Sequence, residues 1–179
     1  MNSIIKKIKS YYILIFKGGV AYAKYLGVKV GDGCRIYTTN FGSEPFLISI
    51  GNNVTITSGV KFLTHDGSTW LMRDKNGRRF FYAPILIGNN IFIGVNCIIM
   101  PGVKIEDQVI IAAGAIVTKS IPKGVVVAGV PAKIIGTYSE MEDRILKSYI
   151  SEKDINKTIS YEERIKKVAS SEFKPFLQK

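Results

Sequence analysis

The sequence predicts a mainly β protein: a parallel β-helix with helical segments at both ends and one excursion loop. Two observations carry that expectation. Aliphatic residues recur every six positions through the middle of the chain, and the recurrence is interrupted by a polar and aromatic stretch over residues 66–82. The predicted organisation is an N-terminal helical segment at 1–26, a β-helix at 27–137 interrupted by the 66–82 excursion, and a C-terminal helical segment at 138–179.

The N-terminal segment spaces apolar and basic residues in a near-helical pattern. Residues 1–29 contain Lys6, Lys7, Lys9, Lys17, Lys24 and Lys29 and no acid. Such a strip fits a solvated amphipathic helix, or a weak contact with a membrane surface. Its longest apolar run, Tyr11–Phe16, is far short of the roughly 20 residues that cross a bilayer. That run ends in Lys17-Gly18-Gly19 without a secretory cleavage pattern.

The repeat dictates the central architecture. Every sixth residue from Ile87 is a β-branched aliphatic: Ile87, Ile93, Ile99, Ile105, Ile111 and Val117. Four residues after each comes a small or medium apolar one: Ile91, Cys97, Val103, Val109, Ala115 and Ile121. Ile50, Ile56 and Phe62, with Val54 and Val60, form a second block, and Val30 and Ile36 begin a third. Neither a helical period nor strand alternation accounts for this spacing. A period of six does, if each hexapeptide is a short strand plus a turn and three of them close a triangular coil. The aliphatics then point inward in columns, and the Gly or Ala that often follows them (Gly88, Gly94, Ala112) is expected to allow the corner. Each coil buries its interior only against its neighbours. A sandwich would need looser spacing and hairpin turns, and Asn76-Gly77 lies in the excursion rather than between repeats. Beyond the repeat, residues 138–170 are expected to be helical, with Met141, Ile145, Ile155, Ile159, Ile165 and Val168 set among alternating charges.

Composition narrows the function classes. With 179 residues and 46% hydrophobic content the chain suits one core-bearing domain. Its net charge of +11 could meet nucleic acid, anionic lipid or a phosphorylated cofactor, but no nucleic-acid-binding motif accompanies it. Two cysteines make no disulfide framework, so a reducing cytoplasm is the expected location. Cys34 and Cys97 both fall on the small inward repeat position, where core packing is expected rather than nucleophilic catalysis.

The chain has one histidine, His65. A zinc site built on several histidines is therefore excluded, and no metal is expected. His65 sits in Thr64-His65-Asp66-Gly67, where the repeat ends and the excursion begins. An imidazole is largely neutral at pH 7 and can accept a proton from a hydroxyl, which makes His65 the candidate catalytic base. Asp66 could orient it or cap the turn.

Four stretches in fixed order carry a family resemblance: Ile87–Gly94, Pro101-Gly102-Val103, Ala112–Pro122 and Ala128–Lys133. With Lys75-Asn76-Gly77 and Ala83-Pro84-Ile85, they resemble the hexapeptide-repeat acetyltransferases, in particular galactoside and maltose O-acetyltransferases, over about residues 30–137. The resemblance implies a left-handed β-helix, acetyl-CoA as co-substrate, a homotrimer with active sites between neighbouring prisms, and direct transfer to a hydroxyl with His65 as general base. It implies that Asn40 positions the acceptor, and that Phe92 stands beside the cofactor where a tryptophan is usual. Val95 and Ala113 would meet the pantetheine arm, and Thr118, Lys119 and Lys133 the adenosine and its phosphates. Backbone N–H groups would hold the oxyanion.

The acceptor is expected to be a sugar or sugar-containing molecule in surface polysaccharide (capsule or lipopolysaccharide) biosynthesis, because Asn40-Phe41-Gly42-Ser43-Glu44-Pro45 resembles such enzymes. Glu44 could bind sugar hydroxyls or form the turn before Pro45. Asp66 and Trp70 are further candidate substrate contacts, with Trp70, Phe80, Phe81 and Tyr82 of the excursion shaping the pocket. An antibiotic (xenobiotic) O-acetyltransferase, suggested by His65-Asp66-Gly67-Ser68, and a non-catalytic β-helix scaffold are the alternatives.

Overall fold

The computed structural model describes residues 3–176; residues 1, 2 and 177–179 of the expected terminal segments lie outside them. The chain divides at Met141 into two compact units. The first opens with helix α1 (Ser3–Leu26), which breaks at Gly18 (φ 79°, ψ 177°), a conformation that a residue without Cβ adopts freely. After the break, Ala23 is fully buried, and Val20, Tyr22 and Leu26 pack against the core. Before it, Ile5, Ile8, Tyr11, Tyr12, Ile15 and Phe16 are exposed.

Short strands follow: β1 (Lys29–Val30), β2 (Arg35–Ile36), β3 (Ile48–Ile50), β4 (Val54–Ile56) and β5 (Lys61–Phe62). The excursion holds a small hairpin, β6 (Arg73–Asp74) and β7 (Gly77–Arg78). Then come β8 (Ile85–Ile87), β9 (Ile91–Ile93), β10 (Ile98–Ile99), β11 (Lys104–Ile105), β12 (Val109–Ile111), β13 (Ile116–Val117), β14 (Val125–Ala128) and β15 (Lys133–Thr137). The chain visits three faces in rotation, as a three-sided parallel β-helix must. The first face is ordered β1-β3-β8-β11, the second β2-β4-β9-β12-β14 with β15 antiparallel at its edge, and the third β5-β10-β13.

Register turns the sixfold period into columns. Ile50 pairs with Ile87 and Ile87 with Ile105. Ile56 pairs with Ile93 and Ile93 with Ile111. Phe62, Ile99 and Val117 make the third column. All of these side chains are buried, and so are those of the second series from Val54 to Ile121. Each Val, Ile or Phe among them is worth about 1.5–3 kcal/mol of burial.

The corners differ from the sequence reading. The left-handed backbone that turns each corner sits at Asn90, Asn96, Gly102, Gln108 and Gly114, two residues beyond the Gly or Ala position. The glycines at that earlier position clear space for the next coil. A Cβ on Gly51 would lie 2.6 Å from the Gly88 carbonyl oxygen, and one on Gly88 would lie 2.4 Å from Asp107 Oδ1. Into that space a polar ladder fits. Asn52 Oδ1 accepts from the Asp32 N–H (2.8 Å), Asn89 Oδ1 from the Asn52 N–H (2.8 Å), and Asp107 Oδ1 from the Asn89 N–H (2.7 Å). Backbone donors that the turn leaves free are thereby satisfied.

The second unit is helical in two pieces. Helix α2 (Tyr138–Ser148), which starts before the division, and α3 (Tyr161–Val168) are separated by residues 149–160. Ser160 caps α3 and exchanges hydrogen bonds with Glu163, a start signal for the second helical piece within 138–170.

The corner geometry predicts that Gly51→Ala lowers stability by about 1–3 kcal/mol, because the methyl meets the Gly88 backbone as well as the Asn89 side chain of the ladder. An unchanged denaturation midpoint would contradict the close-stacking role.

Candidate active site

The site forms where the third face loses its chain. Leu63 continues the face beyond β5, its N–H donating to the Ile99 carbonyl (2.9 Å). After Thr64 the chain swings outward. On its return the Ala83 N–H donates to the Thr64 carbonyl (2.9 Å), and the Asp66 N–H donates to the Phe81 carbonyl (3.1 Å). His65 forms a bridge with Tyr82, so both ends of the excursion are clamped beside the histidine.

The carboxylate next to His65 comes from the segment between β2 and β3. Phe41 there is 2% exposed and stacks on Phe62 at 5.7 Å, nearly parallel. This anchor brings Glu44, three residues on, against Thr64. Thr64 is 1% exposed, so its hydroxyl needs an internal partner. It donates to Glu44 Oε2 (2.6 Å), and His65 Nδ1 lies 2.9 Å from the same oxygen. The two hydrogen bonds, from Thr64 first and His65 second, lower the Glu44 pKa below its ordinary 4.5. Glu44 is therefore ionised at neutral pH and can only accept. His65 Nδ1 must then carry the proton, which leaves Nε2 of the neutral ring with its lone pair free. The His65 side chain is 41% exposed and can be reached from solvent.

Of the two roles open to Glu44, the turn before Pro45 is present, the Glu44 carbonyl accepting from the Leu47 N–H (3.0 Å), and its Oε2 is held by Thr64 and His65. Of the two roles open to Asp66, the structure gives the cap. Its Oδ1 accepts from the Ser68 N–H (2.9 Å), and hydrogen bonding from the Ser68 side chain first and its backbone N–H second lowers the Asp66 pKa. Asn40 bridges Lys61 and lines a recess of about 310 Å³ with Thr39, Gly42 and Leu63. Trp70 lies in the 3-10 turn Gly67–Leu71 and is more than half exposed. A larger recess, about 450 Å³ over β3, β8 and β11, holds none of the expected site residues.

The expected cofactor residues are spread over the second and third faces and their corners. Phe92 points outward from β9, in register with Thr55 and Ile110. Val95 and Ala113 occupy one corner in successive coils, where the Gly114 N–H donates to the Val95 carbonyl (2.8 Å). The strands β10 and β13 start from that corner. Thr118 and Lys119 follow β13 at the far edge, the edge from which His65 departs, and Lys133 opens β15. Cys97 is fully buried and donates to the Ala112 carbonyl (3.1 Å), and burial pushes its thiol pKa up. Cys34 is half-buried and donates to the Gly51 carbonyl (3.2 Å). Among the described residues no group of three His, Cys, Asp or Glu side chains could hold a metal ion, and no helix is long and apolar enough to cross a membrane.

Residues 84–119 match the family described as the hexapeptide repeat of succinyl-transferase. Protein CapG of Staphylococcus aureus is 44% identical over 161 residues, covering 87% of this chain and 91% of CapG. The galactoside O-acetyltransferase of Escherichia coli is 37% identical over 116 residues, covering 65% of this chain and 55% of that protein. The chain belongs to the hexapeptide-repeat acetyltransferase family. Solved structures of the family agree with the fold. A hexapeptide-repeat acetyltransferase, VCA0836 of Vibrio cholerae, superposes with TM-score 0.55 at 28% identity, covering 63% of each chain. A galactoside acetyltransferase in complex with coenzyme A superposes with TM-score 0.50 at 27% identity, covering 82% of this chain and 86% of that one.

In this acetyltransferase the Glu44 contacts predict a specific acid response. A lowered folded pKa means that Glu44 stabilises the fold fully above its ordinary 4.5, and that this contribution is lost as pH falls through the lowered value. Wild type should exceed Glu44→Gln by on the order of 1 kcal/mol at neutral pH, and the two should converge as pH drops below 4.5. Parallel stability curves from pH 7 to 3 would contradict the contact.

Proposed function

We propose that the protein transfers an acetyl group from acetyl-CoA to a hydroxyl of a sugar or sugar-containing acceptor in surface polysaccharide assembly. The observation that carries this reading is the Glu44–His65 pair at the mouth of the excursion, which frees Nε2 toward solvent. Nε2 takes the hydroxyl proton as the oxygen attacks the thioester carbonyl. The carbon–sulfur bond then breaks, and the imidazolium returns the proton to the CoA sulfur. Ionised Glu44 stabilises that imidazolium and holds the ring in place, so it acts as a positioning residue.

The family's coenzyme complexes support acetyl-CoA as the donor. Lys119 and Lys133 would neutralise its phosphates, Thr118 would meet the same end, and the Val95 and Ala113 corner offers backbone groups to the pantetheine arm. Phe92 would give the cofactor a ring to lie against. Asn40 beside its recess, with Trp70 on the excursion, would contact the acceptor. A left-handed coil and a homotrimer, with each site in the cleft between prisms, complete the proposal. The sugar assignment rests on the galactoside O-acetyltransferase relative and on the Asn40–Pro45 segment.

Acetyl-CoA turnover across sugars, nucleotide sugars and antibiotics tests this reading. His65→Ala should lose about 10²–10⁴-fold in rate while keeping its thermal shift with acetyl-CoA. A folded His65→Ala protein with wild-type turnover would overturn the catalytic assignment, and preferred turnover of antibiotics would overturn the acceptor class. Light scattering on the same preparation should report three chains, and a monomer would refute the shared cleft.

A further inference from the structure

The excursion carries a charge arrangement that the transfer chemistry does not use. In its hairpin Arg73 on β6 pairs directly with Arg78 on β7. Like charges at directly opposed positions repel, and proteins ordinarily offset them with a nearby acid. The one carboxylate on the hairpin, Asp74, is taken by Arg79. Among the described residues neither Arg73 nor Arg78 has a carboxylate within ion-pair distance. The Arg78 Nε is shielded from solvent and has no hydrogen-bond acceptor. What holds the two guanidiniums is aromatic. Both lie over Trp70, at 4.8 Å for Arg73 and 4.6 Å for Arg78, and Arg78 also lies over Phe80 at 4.4 Å.

That stack leads to the catalytic base. Phe80 lies nearly parallel to Tyr82 with ring centres 6.3 Å apart, and the Tyr82 ring is 5.9 Å from that of His65. The series His65, Tyr82, Phe80, Arg78, Trp70, Arg73 is thus a continuous run of rings and guanidiniums, with the proton acceptor at one end and two unneutralised cations at the other. Phe80, Tyr82 and Trp70 are all more than half exposed. Flat faces of this kind take sugar rings, and paired guanidiniums take planar oxyanions. A latch that merely held the loop closed would be met by one arginine on Trp70. It would not require a second, directly opposed cation.

We infer that the acceptor is an anionic sugar, bearing a phosphate or carboxylate away from the reacting hydroxyl, and that Arg73 and Arg78 bind that oxyanion while the sugar lies along the aromatic stack. This rests on the acetyl-transfer reading above and names its substrate class. The oxyanion also answers the Arg73–Arg78 repulsion, so the bound hairpin is better ordered than the free one.

The test compares matched acceptors with the full-length protein and acetyl-CoA: neutral methyl hexosides, hexose 1-phosphates and hexuronic acids. The anionic members should have kcat/KM about tenfold or more above the neutral ones, mainly through KM. That preference should shrink toward one in Arg73→Gln and Arg78→Gln and with rising salt. Arg78→Lys, which keeps charge but loses the planar fork, should retain part of it. Which of phosphate and carboxylate gains more identifies the oxyanion. Equal use of neutral and anionic acceptors, or a preference untouched in both glutamine variants, would overturn the inference. Calorimetric titration of hexose 1-phosphate and hexuronic acid into wild type and Arg78→Gln separates it from the broader reading. If no acceptor is acetylated but an oxyanion binds wild type at least tenfold tighter than the variant, the transfer reading fails and the oxyanion site stands. If neither anion shows that difference, the site is refuted.

Discussion

Vertical stacking of coils is the constraint on which the rest of this structure depends. A coil of three short strands cannot bury its own interior, so each inward Ile or Val must sit on its counterpart in the coil before and after. The register pairs Ile50, Ile87 and Ile105 in one column and Phe62, Ile99 and Val117 in another. Any insertion must therefore leave and re-enter at a corner without shifting the columns. The excursion does so, with Thr64 and Ala83 hydrogen-bonded to each other at its neck. Stacking thus fixes where a non-repeating, functional segment can be attached, and it puts the histidine at that attachment.

Orientation of His65 follows from a second demand, that buried polar groups find partners. Thr64 is held inside by the returning chain, and its hydroxyl needs an acceptor. Glu44 supplies one because Phe41, locked against Phe62, fixes the segment that carries it. The same carboxylate oxygen then takes the imidazole N–H. A packing contact, a buried hydroxyl and the tautomer of His65 are in this way one chain of cause. Removing Phe41 from the core would loosen the histidine without touching it.

What the sequence disclosed tracks what repeats. The aliphatic columns were legible because every coil poses the same steric problem and answers it with the same residue types. The glycines after the aliphatics were visible but misassigned. Their clearance serves Asn52, Asn89 and Asp107 of neighbouring coils, and that relation crosses 18 to 37 residues of sequence. His65 was legible as the single histidine at the break in the repeat. The turn at Glu44 was legible from Pro45, but its contact with His65 was not, since that meeting depends on how the segment before Pro45 folds back. The opposed Arg73 and Arg78 were hidden because pairing across a six-residue hairpin inside an aperiodic loop leaves no periodic trace. The helical character after residue 137 was legible from its apolar spacing, but the interruption before the Ser160 cap was not, because charge alternation masks it.

The central claim is that ionised Glu44 sets the tautomer of His65, and the single imidazole makes it directly observable. Nitrogen-15 NMR of histidine-labelled protein at neutral pH should give one ring signal set, with Nδ1 protonated and Nε2 bearing the lone pair, the less common tautomer of free histidine. Glu44→Gln should weaken or reverse that preference. A wild-type ring protonated at Nε2 would contradict the account at its root.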